Sequence, residues 1–170
     1  ETFMTREYAA LSHQPLPPGA QVASPVAPAR LTLDSPAIEA MTDLRQVPAS
    51  AVSTDRTIED CNALMKARSI RLLCVEDAQR RVLGVITASD LLGEKPVRFM
   101  QERGLRRHEI LASDLMTPAS ALEALDLGAV ASSRVGHIVA TLKAAGRQHT
   151  FVTEDGGRRL CGLFSATHIA

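Results

Sequence analysis

Aromatic side chains are scarce in this chain, 3% of residues with no tryptophan, which removes the stacking platforms of single-stranded nucleic-acid binders and sugar clefts. An excess of charge is also missing. Lys plus Arg equals Asp plus Glu at 19 each, so no net field draws the molecule to nucleic acid or to an anionic membrane. Apolar runs such as Val82-Leu83-Gly84-Val85-Ile86 are far too short to cross a bilayer, and no charged-then-apolar signal segment opens the sequence. These absences predict a cytoplasmic protein. The three cysteines, Cys61, Cys74 and Cys161, have no C-x-x-C spacing and stand where small core hydrophobes belong. The histidines His13, His108 and His137 fit no metal-ligand spacing, so no metal is expected. Nor can a nucleophile, a base and an orienting group be assembled from neighbouring motifs, which leaves no catalytic residue to name.

What is present is an aliphatic chain of 170 residues, 45% apolar, enough for one compact domain or two small ones sharing a core. Residues 1–33 stand apart: five of the nine prolines (Pro15, Pro17, Pro18, Pro25, Pro28) fall there among Ala, Ser and Gln, a composition that predicts an extended arm. Order begins at Asp34-Ser35-Pro36, where Ser35 suits an N-cap and Pro36 the first helical position of a short turn over 37–41. Ala51-Val52-Ser53 reads as a short strand. Thr57 opens a helix with Ile58, Cys61, Leu64 and Met65 on one face, ending near Ser69. Residues 71–75 and 82–87 read as two strands of a hairpin around a polar turn. Ser89-Asp90 starts another helix that Gly93 interrupts. A charged helix from about Pro96 to Arg103 follows, with Val97, Phe99 and Met100 on its apolar side.

This order returns after about 77 residues. Met41-Thr42 comes back as Met116-Thr117, the amphipathic helix comes back with Val135, Ile138, Val139 and Leu142, and Gly84-x-x-Thr87-x-x-Asp90 comes back as Gly162-x-x-Ser165-x-x-His168. The chain then divides into an arm (1–33), a first repeat (34–92), a linker helix (93–112) and a second repeat (113–170). Neither repeat can bury both faces of its own small sheet. The expected fold is therefore α/β: two β-α-β-β-α repeats packed as a pseudo-twofold pair, their small sheets flanked by helices.

A Met-Thr opening, this element order and a strand ending in Gly-x-x-Thr/Ser-x-x-Asp resemble the CBS (cystathionine beta-synthase) domain, and two in tandem resemble a Bateman module over roughly residues 36–170. The residues carry their own chemistry. Thr87 leaves a strand and Asp90 starts a helix, so both can meet one ligand edge. A carboxylate accepts both hydroxyls of a ribose diol, and the Thr87 hydroxyl with free N–H groups at the helix start can meet a phosphate. The alternative is that Thr87 or Ser89 caps the helix and Asp90 favours its dipole, which needs no ligand.

The resemblance implies that Thr87 and Asp90 contact ribose and phosphate, that Val52 and Ser53 line an apolar adenine cleft, and that a homodimer forms. Its phosphate cations would be Arg71 in the first repeat and Arg147 or His149 in the second. Ser165 keeps the hydroxyl of the motif, but His168 replaces the acid, and an imidazole cannot embrace a diol as a carboxylate does. The second site is expected to be weaker, altered or empty. The family also leads one to expect a closing helix starting near Ile169-Ala170. The function implied is a non-catalytic regulatory module for an adenosyl ligand, of the AMP, ADP, ATP or S-adenosylmethionine type, acting on a regulated protein partner. The competing expectation is a degenerate pair serving as a dimerisation or protein-interaction scaffold without ligand.

Overall fold

The computed structural model describes residues 9–25 and 30–169. Of the arm, residues 1–8 and 26–29 lie outside the described part, Pro28 among them, as does Ala170 at the other end. Residues 9–25 contain no helix or strand; they make one turn, in which the Ala20 N–H donates to Pro17 O at 3.2 Å. The folded unit spans Leu31–Ala170.

That unit opens on a single 3-10 turn, Ala37–Ala40, followed by the two-residue strand β1 (Thr42–Asp43) and then β2 (Ala51–Ser53). Ser35 does not cap the turn as expected. Its Oγ accepts instead from the Thr32 N–H at 2.9 Å, in a turn of its own. Thr57 does cap α1 (Ile58–Arg68), accepting the Asp60 N–H at 3.1 Å, and Ser69 ends the helix in the left-handed region. β3 (Leu72–Glu76) and β4 (Val82–Thr87) form the predicted antiparallel hairpin. Alternation along them is strict: Leu73, Val75 and Ile86 point to the helices, while Leu72, Cys74 and Val85 point to the other sheet.

α2 (Ala88–Leu92) and α3 (Lys95–Arg103) follow, broken at Gly93. On α3 the buried residue is Pro96, with Phe99 and Met100 packed on the first core, whereas Val97 is 49% exposed and does not belong to the apolar face assigned to it. The second half repeats the series with α4 (Ala112–Leu115), β5 (Thr117–Pro118), β6 (Ala124–Asp126), α5 (Leu127–Ala131), α6 (Val135–Ala145), β7 (His149–Glu154), β8 (Arg159–Ser165) and α7 (Ala166–Ile169).

Two four-stranded sheets result, in the orders β2-β3-β4-β5 and β6-β7-β8-β1. Each repeat thus lends its opening strand to the other repeat's sheet. Thr42 pairs with Leu163, and Thr117 pairs with Val85. The lent segments bring core residues with them: Ala37 is fully buried among Val130, Ile138 and Phe164, and Ala112 and Leu115 are buried among Ile58, Leu73 and Ile86. Between the two sheets lies a third cluster of Leu72, Cys74, Val85 and Phe151. The layers run helix, sheet, sheet, helix, and the matched strand orders give the expected pseudo-twofold pair.

Candidate functional site: two cavities over one shared floor

The strand-to-helix junctions after β4 and β8 are local consequences of the Gly-x-x-Thr/Ser motif. At the first, Thr87 stands at the N-cap of α2 with extended backbone. Its Oγ accepts the Asp90 N–H at 3.3 Å, while Asp90 Oδ2 accepts from the Thr87 N–H at 2.9 Å and from Thr87 Oγ at 3.0 Å. The Ala88 N–H is also engaged, donating to Arg71 O at 2.9 Å. These bonds correct one expectation. The N–H groups of residues 87, 88 and 90 are occupied by the cap and the neighbouring strand, which leaves fewer free N–H groups for an anion than the motif leads one to expect.

Asp90 carries a further partner that the repeat pattern does not reveal, because it comes from the next helix. Lys95 Nζ donates to Asp90 Oδ1 at 2.6 Å, with the carboxylate side chain 13% exposed and the lysine 50%. An ionised carboxylate offers about four acceptor positions. Three are taken, so a diol would use the fourth and compete with Lys95 for another.

Around this junction is a cavity of 410 Å³ walled by both repeats: Thr87, Asp90, Arg71 and Val85 from the first, and Thr117, Leu122, Glu123, Arg147, His149 and Phe151 from the second. A second cavity, of 290 Å³, surrounds the matching junction, with Ser165, Thr167 and His168 facing Leu44, Val47, Pro48 and Ser50 across the cleft. Arg71, Leu72, His149, Phe151 and Thr167 line both cavities and form their common floor.

Thr87, Asp90, Arg71, Arg147 and His149 are therefore brought together in the first cavity, and Ser165, His168, Arg71 and His149 in the second. Arg147 lines the first cavity, where the repeat pattern had it serving the second repeat's own site. Val52 and Ser53 line neither. Val52 is buried in the first core and Ser53 is exposed, its Oγ donating to Asp55. The strand's alternation sends these two into the core and into solvent, and the segment just before it, Val47–Ser50, reaches the second cavity instead. The pattern also passed over Lys95, Phe151 and the 117–123 segment. Phe151 had one signal available: it is the aromatic that stands at the repeat position of Cys74.

The shared floor carries one fixed charge, the Arg71 guanidinium, beside the imidazole of His149. His149 is half-buried, and burial, followed by the charges of His168 and Arg71, lowers its pKa below the ordinary imidazole value. Burial pushes the Cys74 thiol up to about 11, so it stays protonated at neutral pH and offers no thiolate. Among the described residues no cluster of His, Cys, Asp and Glu is arranged to hold a metal ion, and no helix is long and apolar enough to cross a membrane.

Comparison with known proteins now places this geometry. Residues 37–96 match the family model described as CBS domain. This segment is a CBS domain. The chain as a whole has the fold of a CBS pair. It superposes on a CBS-domain containing protein from Agrobacterium tumefaciens with a TM-score of 0.57 and 23% identity, covering 74% of this chain and 86% of that one. It resembles CBSX2 in complex with AMP (TM-score 0.57, 19% identity, 79% and 93% covered). It also resembles the CBS domain pair of protein MJ0100 in complex with 5'-methylthioadenosine and S-adenosyl-L-methionine (TM-score 0.52, 15% identity, 76% and 93% covered). At these identities the likeness is one of fold. No curated protein matches the sequence.

Proposed function

We propose that this CBS pair is a non-catalytic regulatory module whose first cavity binds an adenosyl ligand, an adenine nucleotide or S-adenosylmethionine. The observation that carries the reading is the convergence, in one 410 Å³ cavity, of a carboxylate that can accept ribose hydroxyls with three groups that can meet phosphate, Arg71, Arg147 and His149. Asp90 takes the diol as Lys95 moves off Oδ1. The apolar floor of Leu72, Val85 and Phe151 accepts the adenine face. The AMP-bound and S-adenosylmethionine-bound pairs of the same fold support this choice of ligand class.

Ligand that bridges walls from both repeats favours one arrangement of the two, and that differential binding is what makes such a module regulatory toward a partner protein. By resemblance the working unit is a cytoplasmic homodimer, a point that light scattering tests. Melting temperatures with AMP, ADP, ATP and S-adenosylmethionine test the central claim, since a ligand that binds only the native state raises its stability. At least one should raise it. Asp90→Asn should cost roughly 1.5–3 kcal/mol of binding, about ten- to a hundredfold in affinity. The second reading, a scaffold without ligand, is favoured by Asp90 being already satisfied by Thr87 and Lys95. Absence of any shift at millimolar ligand would select it.

A further inference from the structure

The second cavity departs from the first in a way that its size alone does not convey. Among the residues that line it there is no Asp or Glu, whereas the first cavity holds both Asp90 and Glu123. Three nitrogen-bearing side chains line it: the Arg71 guanidinium and the half-buried His149, which it shares with the first cavity, and the exposed His168, which it does not. A group built to accept a diol is missing, and groups built to receive negative charge take its place.

Two hydroxyls complete the set. Ser165 is a buried polar residue, 8% exposed, and its Oγ lies 2.9 Å from Thr167 Oγ. Two hydroxyls carry two protons, and their mutual bond uses one, so the pair keeps a donor for an acceptor in the cavity. The remaining walls, Leu44, Val47, Ile70 and Leu163, are aliphatic. His149 bears on the same point. Burial and the nearby charges of His168 and Arg71 lower its pKa; the other charged groups around the shared floor are Arg147, Asp90 and Glu123 of the first cavity. An anion seated among Arg71, His149 and His168 would offset that crowding of like charge.

We infer that the second cavity is a separate site for a small organic anion, a phosphate ester or carboxylate with an apolar body and no ribose diol. It sits on a floor shared with the first site but differs from it in chemistry. This extends the reading of the first cavity without depending on it, because Ser165 and His168 line the second cavity and not the first.

Phenyl phosphate is a suitable probe, with a dianionic head, a flat apolar body and no diol. Titrated calorimetrically into the intact protein, it should bind saturably. His168→Asp should weaken it by about tenfold or more, because a side chain that can donate to the anion becomes a carboxylate that repels it. Arg147→Gln, which alters only the first cavity, should leave phenyl phosphate within about twofold while weakening AMP. Both side chains are exposed, and unchanged melting temperatures would show that both variants fold. The site is overturned if phenyl phosphate does not bind in the millimolar range, if His168→Asp leaves its affinity unchanged, or if Arg147→Gln is the variant that abolishes it. Failure of AMP to bind the unaltered protein, with phenyl phosphate bound, would refute the adenosyl reading and leave this one standing.

Discussion

At the scale of single residues the motif glycines are as informative as the polar groups beside them. A Cβ at Gly84 would stand 2.5 Å from Thr117 O and 2.8 Å from Met116 Sδ. The first of these is backbone of the lent strand β5 and cannot yield without breaking its pairing with β4. At Gly162 the corresponding contact is the Met41 thioether, the end of a flexible side chain, with Val152 Cβ at 3.1 Å. Overpacking a filled core costs about 1–3 kcal/mol. Gly84→Ala should fall at the upper end of that range and Gly162→Ala at the lower, as read from the midpoints of urea unfolding. Equal losses would mean that the backbone contact at Thr117 is not the constraint. The glycine of the motif thus makes room for the other repeat's opening strand, a structural duty beside the ligand chemistry that Thr87 and Asp90 carry.

The elements show where sequence pattern suffices and where it stops. Hairpins β3–β4 and β7–β8 and helices α1 and α6 are legible because period 2 and period 3.6 are local properties of the chain. The exchange of β1 and β5 is not legible, since a two-residue strand has no period and its partner is chosen by packing far away in sequence. The same limit explains Val52 and Ser53: a three-residue strand reads equally well with its faces reversed, and the segment just before it, Val47–Ser50, is the one that lines the second cavity. Lys95 escaped because its contact with Asp90 spans the break at Gly93 between α2 and α3. The exchange has a measurable consequence. Ala37, in the first repeat by sequence, is fully buried in the second core, so Ala37→Asp would bury an unpaired carboxylate there, at a cost of at least about 3 kcal/mol. Hydrogen exchange should then quicken in β7 and β8 while β3 and β4 keep more of their protection. Faster exchange confined to β3 and β4 would contradict the lent-segment arrangement.

For the whole molecule, the shared floor makes stability depend on pH in a window where few other groups titrate. His149 has a folded pKa below its unfolded value of about 6.5. The unfolded chain therefore binds the proton more readily than the folded one, and stability rises with pH between the two values. His149's contribution is fully present above about pH 6.5 and is lost as pH falls through that value toward the folded one. The lowered carboxylates act elsewhere: Asp43, held down mainly by its bond to Arg45, and Asp77, by the backbone N–H of Arg81, lose their contribution only as pH falls below the ordinary carboxylate value of 3.8. Melting temperature should thus decline between pH 7.5 and pH 5.5, and His149→Gln should flatten that decline, because the amide keeps the polar side chain and removes the proton. A bound anion should act in the same direction as the substitution. Phenyl phosphate among Arg71, His149 and His168 would favour the protonated imidazole and raise the His149 pKa, so the melting curve of the liganded protein should depend less on pH than that of the free one. A pH profile identical with and without phenyl phosphate would separate His149 from the second site and confine its role to the packing of the floor.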